Sequence, residues 1–494
     1  MSQINETAIK TPGVYINEIP SFPPSVAQVS TAIPVFIGYT AKALDAAGNS
    51  LTKIPTKIFS LLEYVQFFGK ALNEADINVA ITKTTSGGVV TSVSGKASIN
   101  APSKHNMYYN MRLYFDNGGG PCYILSVGPT GAGIVDTDLE AGLNIIEAYD
   151  EPTLIVFPEG VALLQDPANV ADINDSTKYD ESKYYALIGK AIDQCAKLQD
   201  RFTIIDVIRI LNTDTTTTSI NFFRNITPHL TGFGKNSNLS YGAAYYPYSR
   251  TTYGYQYADA DVDVVITTDG GAAAAAVKLS TLLAGDKATY FASIGAIQKL
   301  TITLPPSSAI AGIYAAVDGS RGVWKAPANV SLNSVFDIND IVTDEEQQTM
   351  NIDADSGKSV NAIRAFSGKG ILVWGGRTLD GNSSEWRYIS VRRFFIMVEE
   401  SVKKATAQFV FEPNDANTWV RLRAMIENYL TLLWRQGALA GAKPEHAFFV
   451  RVGLGQTMTA NDILDGKLIV EIGLAAVRPA EFIILRFMHK MQES

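Results

Sequence analysis

Apolar and polar positions fall into two rhythms along this chain. Through residues 138–320, continuous apolar runs alternate with segments of helical spacing. "LEAGLNIIEAY" and "YYALIGKAIDQCAKLQ" carry the helical pattern, while "PTLIVFP" and "RFTIIDV" are apolar runs of strand length. Strands that are apolar on both faces belong in a largely parallel sheet covered by helices, so the pattern predicts an α/β layer. "AIPVFIGYT" reads as another buried strand. "MYYNMRLYFDNGGGPCYILSV" reads as a helix, a glycine turn, and a strand over 122–127. The alanine-rich "GGAAAAAVKLSTLLAG" predicts a close-packed helix, and the Thr/Ser/Gly/Val-rich stretch 84–106 predicts a surface hairpin or loop insertion.

After about residue 360 the helical rhythm sharpens. Val391, Phe394, Phe395, Val398, Val402 and Ala405 recur at spacings of three and four, as do Trp419, Leu422, Ile426, Tyr429, Leu430 and Leu433. Each set makes one apolar helical face, and Gly437 stands where a helix stop belongs. "AFFVRVG" and "KLIVEIGL" then alternate as strands, with Phe448, Val450 and Val452 on one face and Leu468, Val470, Ile472 and Leu474 on another. The two ends of the chain mirror each other. Residues 1–12 are polar and expected to be mobile. A short strand at 13–19 places Val14 and Ile16 opposite Tyr15, ends at Ile19, and is set off by the proline-rich connector "PSFPPS". At the other end, Pro479 interrupts. Phe482 follows, and Ile483, Leu485 and Phe487 then alternate with Ile484, Arg486 and Met488.

Composition adds limits. The 494 residues suffice for roughly two to four domains. A net charge of −8 excludes nucleic-acid binding by bulk electrostatics. Residues 386–494 hold 14 Lys+Arg against 11 Asp+Glu, leaving 27 against 38 elsewhere, so the C-terminal part is mildly basic. The start shows no basic segment leading into an apolar run, and no run reaches the roughly 18 apolar residues of a membrane span. The expectation is assembly in a cytoplasm without membrane insertion. Cys122 and Cys195 make no disulfide framework and read as reduced core residues.

Candidate chemistry fails piece by piece. In "NGGGPCY" (117–123) the glycines precede a strand instead of opening a helix, and no Lys-Ser/Thr pair follows, so the loop does not fit a phosphate. Its reading is a tight corner in which the glycines supply positive φ. Cys122 would need a base to become a nucleophile, and His105, His229, His446 and His489 share no motif with it. "DADVD" (259–263) lacks the glycine and glutamate of a calcium loop and reads as an exposed strand. No HExxH, paired CxxC or GxSxG occurs. No catalytic residue, cofactor or metal is therefore expected. Gly375-Gly376-Arg377 and Arg392-Arg393 could hold an anion, or their arginines could tie helices to carbonyls or to carboxylates of a neighbour; the second, structural reading is favoured.

Read in succession, "TPGVYINEI", "YFDNGGGPCYILSV", "DRFTIIDV", "LPPSSAIAGIYAAVDGSRGVWKAPAN", "NAIRAFSGKGILVWGGRTL", "EWRYISVRRFFIMVEES" and "FEPNDANTW" resemble the sheath protein of contractile phage tails and related contractile injection systems, in the single-chain form. The resemblance implies a mixed α/β (α+β) fold: a C-terminal sheath domain whose small sheet packs on helices and is open to strand addition, plus an inserted middle α/β domain. It divides the chain into an N-terminal arm (1–25), a first core piece (26–75), an outer α/β region (76–350, with a loop insertion at 80–106), a C-terminal core (351–476) and a C-terminal arm (477–494). It also implies stacked hexameric rings in a helical polymer around an inner tube protein, bounded by baseplate and terminal cap proteins. Contraction from a metastable state without nucleotide would drive the tube through a target envelope. The arms, through Val14, Tyr15, Ile16, Ile19, Phe482, Ile483, Leu485 and Phe487, would add to sheets built from Phe448, Val450, Val452, Leu468, Val470 and Ile472 in neighbouring copies. Arg421 and Arg423 would face the tube. The particle would be a phage tail or a phage tail-like device, released after cytoplasmic assembly. A static tubular shell and a cytosolic α/β enzyme remain the competing readings.

Overall fold

The computed structural model describes residues 26–164, 181–210, 215–225 and 237–485. The expected N-terminal arm, with Val14, Tyr15, Ile16 and Ile19, lies outside these residues, as do Phe487, His229 and His489. By internal contacts the described chain forms two units: residues 30–397 with 478–485, and residues 26–29 with 398–477.

The first unit is built on a nine-stranded sheet. Its order is Val330–Ser331, Gly370–Val373, Val360–Phe366, Gly242–Tyr246, Phe202–Asp206, Leu154–Val156, Pro34–Thr40, Cys122–Pro129 and Thr56–Ile58. The six strands from Val360–Phe366 to Cys122–Pro129 pair in parallel, and antiparallel pairs close both ends. Pro34–Thr40, Leu154–Val156, Phe202–Asp206 and Gly242–Tyr246 are buried at every position. That is the reason their sequences are continuously apolar: helices cover both faces. Segments that the sequence reading put in separate regions share this one ladder. Pro34–Thr40 lies between two strands of the middle region, and Val360–Phe366 pairs with Gly242–Tyr246.

A four-stranded sheet has its own core of Ile77, Val79, Ile81, Val262, Val264, Leu279, Leu282, Ala296 and Ile297. The stretch expected as a hairpin or loop insertion is the hairpin Ile77–Ser86/Val89–Ile99, half of this sheet. Asp263–Thr268 joins it in parallel from far along the chain. The alanine run departs from expectation. Residues 271–276 are exposed and non-helical, and the helix Leu279–Gly285 begins only where larger apolar residues resume. Alanine's helix propensity is a weak term without an apolar face to bury. Asp259–Asp261 form a turn, with strand Asp263–Thr268 following, so "DADVD" is only in part a strand.

The triple-glycine corner sets a close helix contact. Only Gly118 has a left-handed backbone, φ +90°, which corrects the expectation that all three glycines supply it. A Cβ on Gly119 would fall 2.5 Å from the Tyr114 ring, whereas one on Gly120 would meet nothing within 4 Å. The Tyr114 hydroxyl closes the corner, donating to the Gly120 carbonyl and accepting from its N–H, both at 3.1 Å. The corner lets helix Met107–Asp116 approach helix Ser307–Arg321 until the Tyr114 carbonyl lies 2.5 Å from where a Cβ on Gly312 would stand. Asp206, at the end of its strand, accepts from the Ser307 N–H at 2.7 Å and from its hydroxyl at 2.6 Å, satisfying the first turn of that helix.

In the second unit, helix Ala416–Arg435 starts with Asp415 accepting from the Thr418 N–H at 2.9 Å. It buries Leu422, Met425, Ile426, Tyr429, Leu430 and Leu433 and ends before Gly437, φ +83°. Trp419, placed on this face by the sequence, is only half-buried. Helix Ile389–Thr406 departs further from a one-faced pattern, because Arg392 and Arg393 are buried with its apolar residues.

Gly312→Ala should lower stability by about 1–3 kcal/mol, since the added methyl has nowhere to go. Gly120→Ala should stay within about 0.5 kcal/mol; thermal unfolding of both variants checks this. Burial pushes the Asp206 carboxyl up to about 7, against the hydrogen bonds from Ser307. An unfolded chain loses this proton near 3.8 and the native chain holds it until about 7, so Asp206's contribution to stability falls as pH rises through that window. Asp206→Asn should flatten that part of the stability–pH curve, measured by denaturant unfolding from pH 4 to 8.

Candidate assembly surfaces

The two cysteines are built into the interior. Cys122 and Cys195 are buried free thiols. Burial pushes the Cys122 thiol well up and that of Cys195 to about 12, the reverse of what a thiolate nucleophile needs. Among the described residues, no group of three or more His, Cys, Asp or Glu is placed to hold a metal ion, and no helix is long and apolar enough to cross a membrane. The Arg393 guanidinium donates to Asp318 at 2.6 and 3.1 Å and to the Thr31 carbonyl at 2.9 Å. That of Arg392 lies 4.4 Å from the rings of both Tyr241 and Trp386. These arginines tie elements together, as the favoured reading had it.

What stands open is surface of two kinds. In the second unit, Phe448–Arg451 and Glu471–Leu474 form an antiparallel two-stranded sheet, in register Phe448↔Leu474 to Arg451↔Glu471. Phe448–Arg451 packs on helix Ala416–Arg435. Val450 and Val452 turn inward, 3% and 7% exposed, while Phe448 and Ile472 are half-buried. The second strand is shorter than the alternation suggested: Leu468 and Val470 precede it, half-buried, in a segment that makes no ladder. Phe449, on the parity the sequence reading passed over, is 46% exposed. Its ring lies flat on the partner strand, where a Cβ on Gly473 would fall 2.1 Å from it, and the Arg451 guanidinium stacks 4.6 Å from its centre. Among the described residues neither strand has a second strand partner, so this short sheet has two free edges.

Arg421 and Arg423 project from helix Ala416–Arg435 with about half of each side chain exposed. Each meets a carboxylate of its own chain, Glu412 at 3.2 Å and Glu427 at 2.7 Å. Exposed pairs of this kind are worth about 0.2–1 kcal/mol and re-pair readily. Beside them stands a feature that periodicity could not reveal. Phe411 has φ +72° and a fully exposed side chain, next to an exposed Val410. A bulky residue in the left-handed region is rare and is held by its surroundings. Here the Glu412 N–H bonds the Phe409 carbonyl at 3.1 Å, and Asn414 donates to the Lys467 carbonyl at 2.9 Å.

The other surface belongs to the first unit. Phe482, Ile483, Ile484 and Leu485 are 67–78% exposed and join no strand. The preceding Glu481 is held firmly. Arg377 donates to it at 2.6 Å from Nη2 and 2.9 Å from Nε, Asn351 at 2.7 Å and the Tyr388 hydroxyl at 3.2 Å. Burial pushes this carboxyl up, but the donors outweigh it and leave it below the usual range. The "GGR" motif is explained: a Cβ on Gly375 would fall 2.7 Å from the Asn361 side chain, and Arg377 reaches an anion that is the chain's own.

Comparison with known proteins gives three findings. The phage tail sheath C-terminal domain family matches residues 382–489. Curated tail sheath proteins of Vibrio phage KVP40 and Enterobacteria phage T4 are each 24% identical, over 37% and 26% of this chain. The matched part spans about a quarter or less of their length, 26% and 19%. Among solved structures, a chain of the anti-feeding prophage (AFP) helical sheath in its contracted state is 32% identical, with TM-score 0.62, covering 98% of this chain and 100% of that one. A chain of the PVC sheath complex, an extracellular contractile injection system in the contracted state, is 31% identical, with TM-score 0.61, covering 98% and 99%.

Proposed function

This chain belongs to the family of contractile-tail sheath proteins, and from that membership we propose that it is the repeating subunit of a contractile sheath: hexameric rings stack into a helical polymer around an inner tube, and the polymer shortens from a metastable extended state to drive the tube through a target envelope. The end-to-end likeness to a sheath chain in a contracted assembly carries this reading. Four successive exposed apolar residues at 482–485 and a two-stranded sheet with free edges support it. Among the described residues neither is satisfied; between molecules, an arm adding to a neighbour's sheet pairs the backbone and covers the side chains. A contact between two different patches propagates, which generates a helical polymer.

The subunit performs no catalysis, and the work comes from assembly. At about 25 cal/mol per Å2, a few hundred Å2 of apolar surface newly buried per subunit is worth several kcal/mol, summed over many subunits. Its partners are further copies of itself, the inner tube, and baseplate and terminal cap proteins. It is put together in the cytoplasm as part of a phage tail or phage tail-like particle, without nucleic acid or membrane insertion. The body is the nine-stranded unit, and residues 398–477 carry the acceptor sheet and the basic helix that meets the tube.

Electron microscopy of the protein co-expressed with its tube should show striated tubes in two lengths, the shorter one wider. Tubes of a single length under every contracting condition would instead make it a static shell. Changing Arg421 and Arg423 together to glutamate should leave sheath polymers intact but empty of tube; co-assembly at the normal ratio would remove these residues from the tube contact.

A further inference from the structure

Arg377 lies in a sequence motif with two readings, anion holder or structural tie, and the carboxylate it holds stands one residue before the exposed run. Four donor atoms converge on the Glu481 carboxylate from three places in the fold. Asn351 is the last residue of helix Asp344–Asn351, Arg377 lies beyond strand Gly370–Val373, and Tyr388 precedes helix Ile389–Thr406. Arg377 is itself secured by the Asn351 and Gly381 carbonyls, each at 3.3 Å, and its side chain is 4% exposed. Exposure then changes within a single step, since the Phe482 side chain that follows is 67% exposed. Arg478, upstream, is also tied down, donating to the Ser384 carbonyl at 2.8 Å.

We propose that Glu481 is the positioning residue of the C-terminal arm: clamped by Arg377, it fixes the direction and the register in which residues 482–485 are offered to a neighbouring copy. The inference rests on the arm reading above and adds a mechanism to it. A planar guanidinium gripping a carboxylate through two bonds sets orientation as well as distance, which an apolar contact does not. Side chains of a strand alternate with a period of two, so pinning residue 481 decides that Phe482 and Ile484 take one face of the added strand and Ile483 and Leu485 the other. A polar lock also leaves every apolar residue of the arm free for the neighbour. Because the backbone up to Glu481 is already ordered, less conformational freedom is lost when the arm docks, and force on the arm passes into the nine-stranded unit through Arg377.

The test varies spacing and charge separately in the full chain, reading the protein concentration at which polymer appears by sedimentation and electron microscopy. One alanine inserted between Glu481 and Phe482 inverts the faces and should raise that concentration at least ~10-fold, whereas two inserted alanines restore parity and should bring it back near the wild-type value. Glu481→Gln keeps the shape and removes the charge, and should raise it roughly 10-fold, the scale of one charge-assisted hydrogen bond. Tyr388→Phe, a milder loss of one donor, is read in its place if the glutamine variant melts early as a monomer. Equal behaviour of the one- and two-residue insertions, or wild-type assembly by both clamp variants, would overturn the proposal. Deletion of residues 482–494 reports on the arm itself: normal polymer from that variant sinks the arm reading, while its failure beside unaffected clamp variants sinks only the clamp.

Discussion

Burial of the parallel strands on both faces is the constraint on which the rest of the first unit depends. A strand such as Pro34–Thr40, buried at all seven positions, must have helices above and below, and those helices must come close. Close approach removes side chains where backbones meet, as at Gly312 against the Tyr114 carbonyl. It also dictates how polar groups behave inside. Arg393 goes to Asp318, and Asp206 to the first turn of a helix, because a buried charge or amide without a partner costs more than the fold can spare. Arg393 and Asp206 are thus committed to holding the sheet and its helices together.

Two features of the surface are left unmet among the described residues. Among the described residues the two-stranded sheet at Phe448–Arg451 and Glu471–Leu474 has edges without strand partners, and residues 482–485 set apolar side chains in water. Unpaired edges and exposed apolar side chains both cost free energy in water. The Arg377–Glu481 pair stands where buried polar contact gives way to the exposed apolar run 482–485.

Much of this architecture was legible in the chain. The continuous apolar runs 154–156 and 202–206 announced a covered parallel sheet, and the spacing of Leu422, Ile426, Leu430 and Leu433 announced the face of helix Ala416–Arg435. These signals are local: burial on one or two faces imposes a period of 2 or 3.6 on neighbouring positions. Where a segment has no apolar face to read, inference faltered, and the alanine run at 272–276 was taken for a helix that its exposure does not support.

Other features depended on residues far apart in sequence meeting in space. No local period reveals that Asp263–Thr268 pairs with Ile77–Ser86, or that Val360–Phe366 joins the sheet of Pro34–Thr40. Nor does it show that Phe449 lies over Gly473, that Phe411 is held outward at positive φ, or that Arg377 closes on Glu481. The sequence by itself determined most of the strands and helices, because those follow from the composition and rhythm of adjacent positions. The tertiary structure alone decided which strands share a sheet, which glycines are required, and which carboxylate answers each arginine, because long-range pairing and close packing are properties of atoms brought together by the fold.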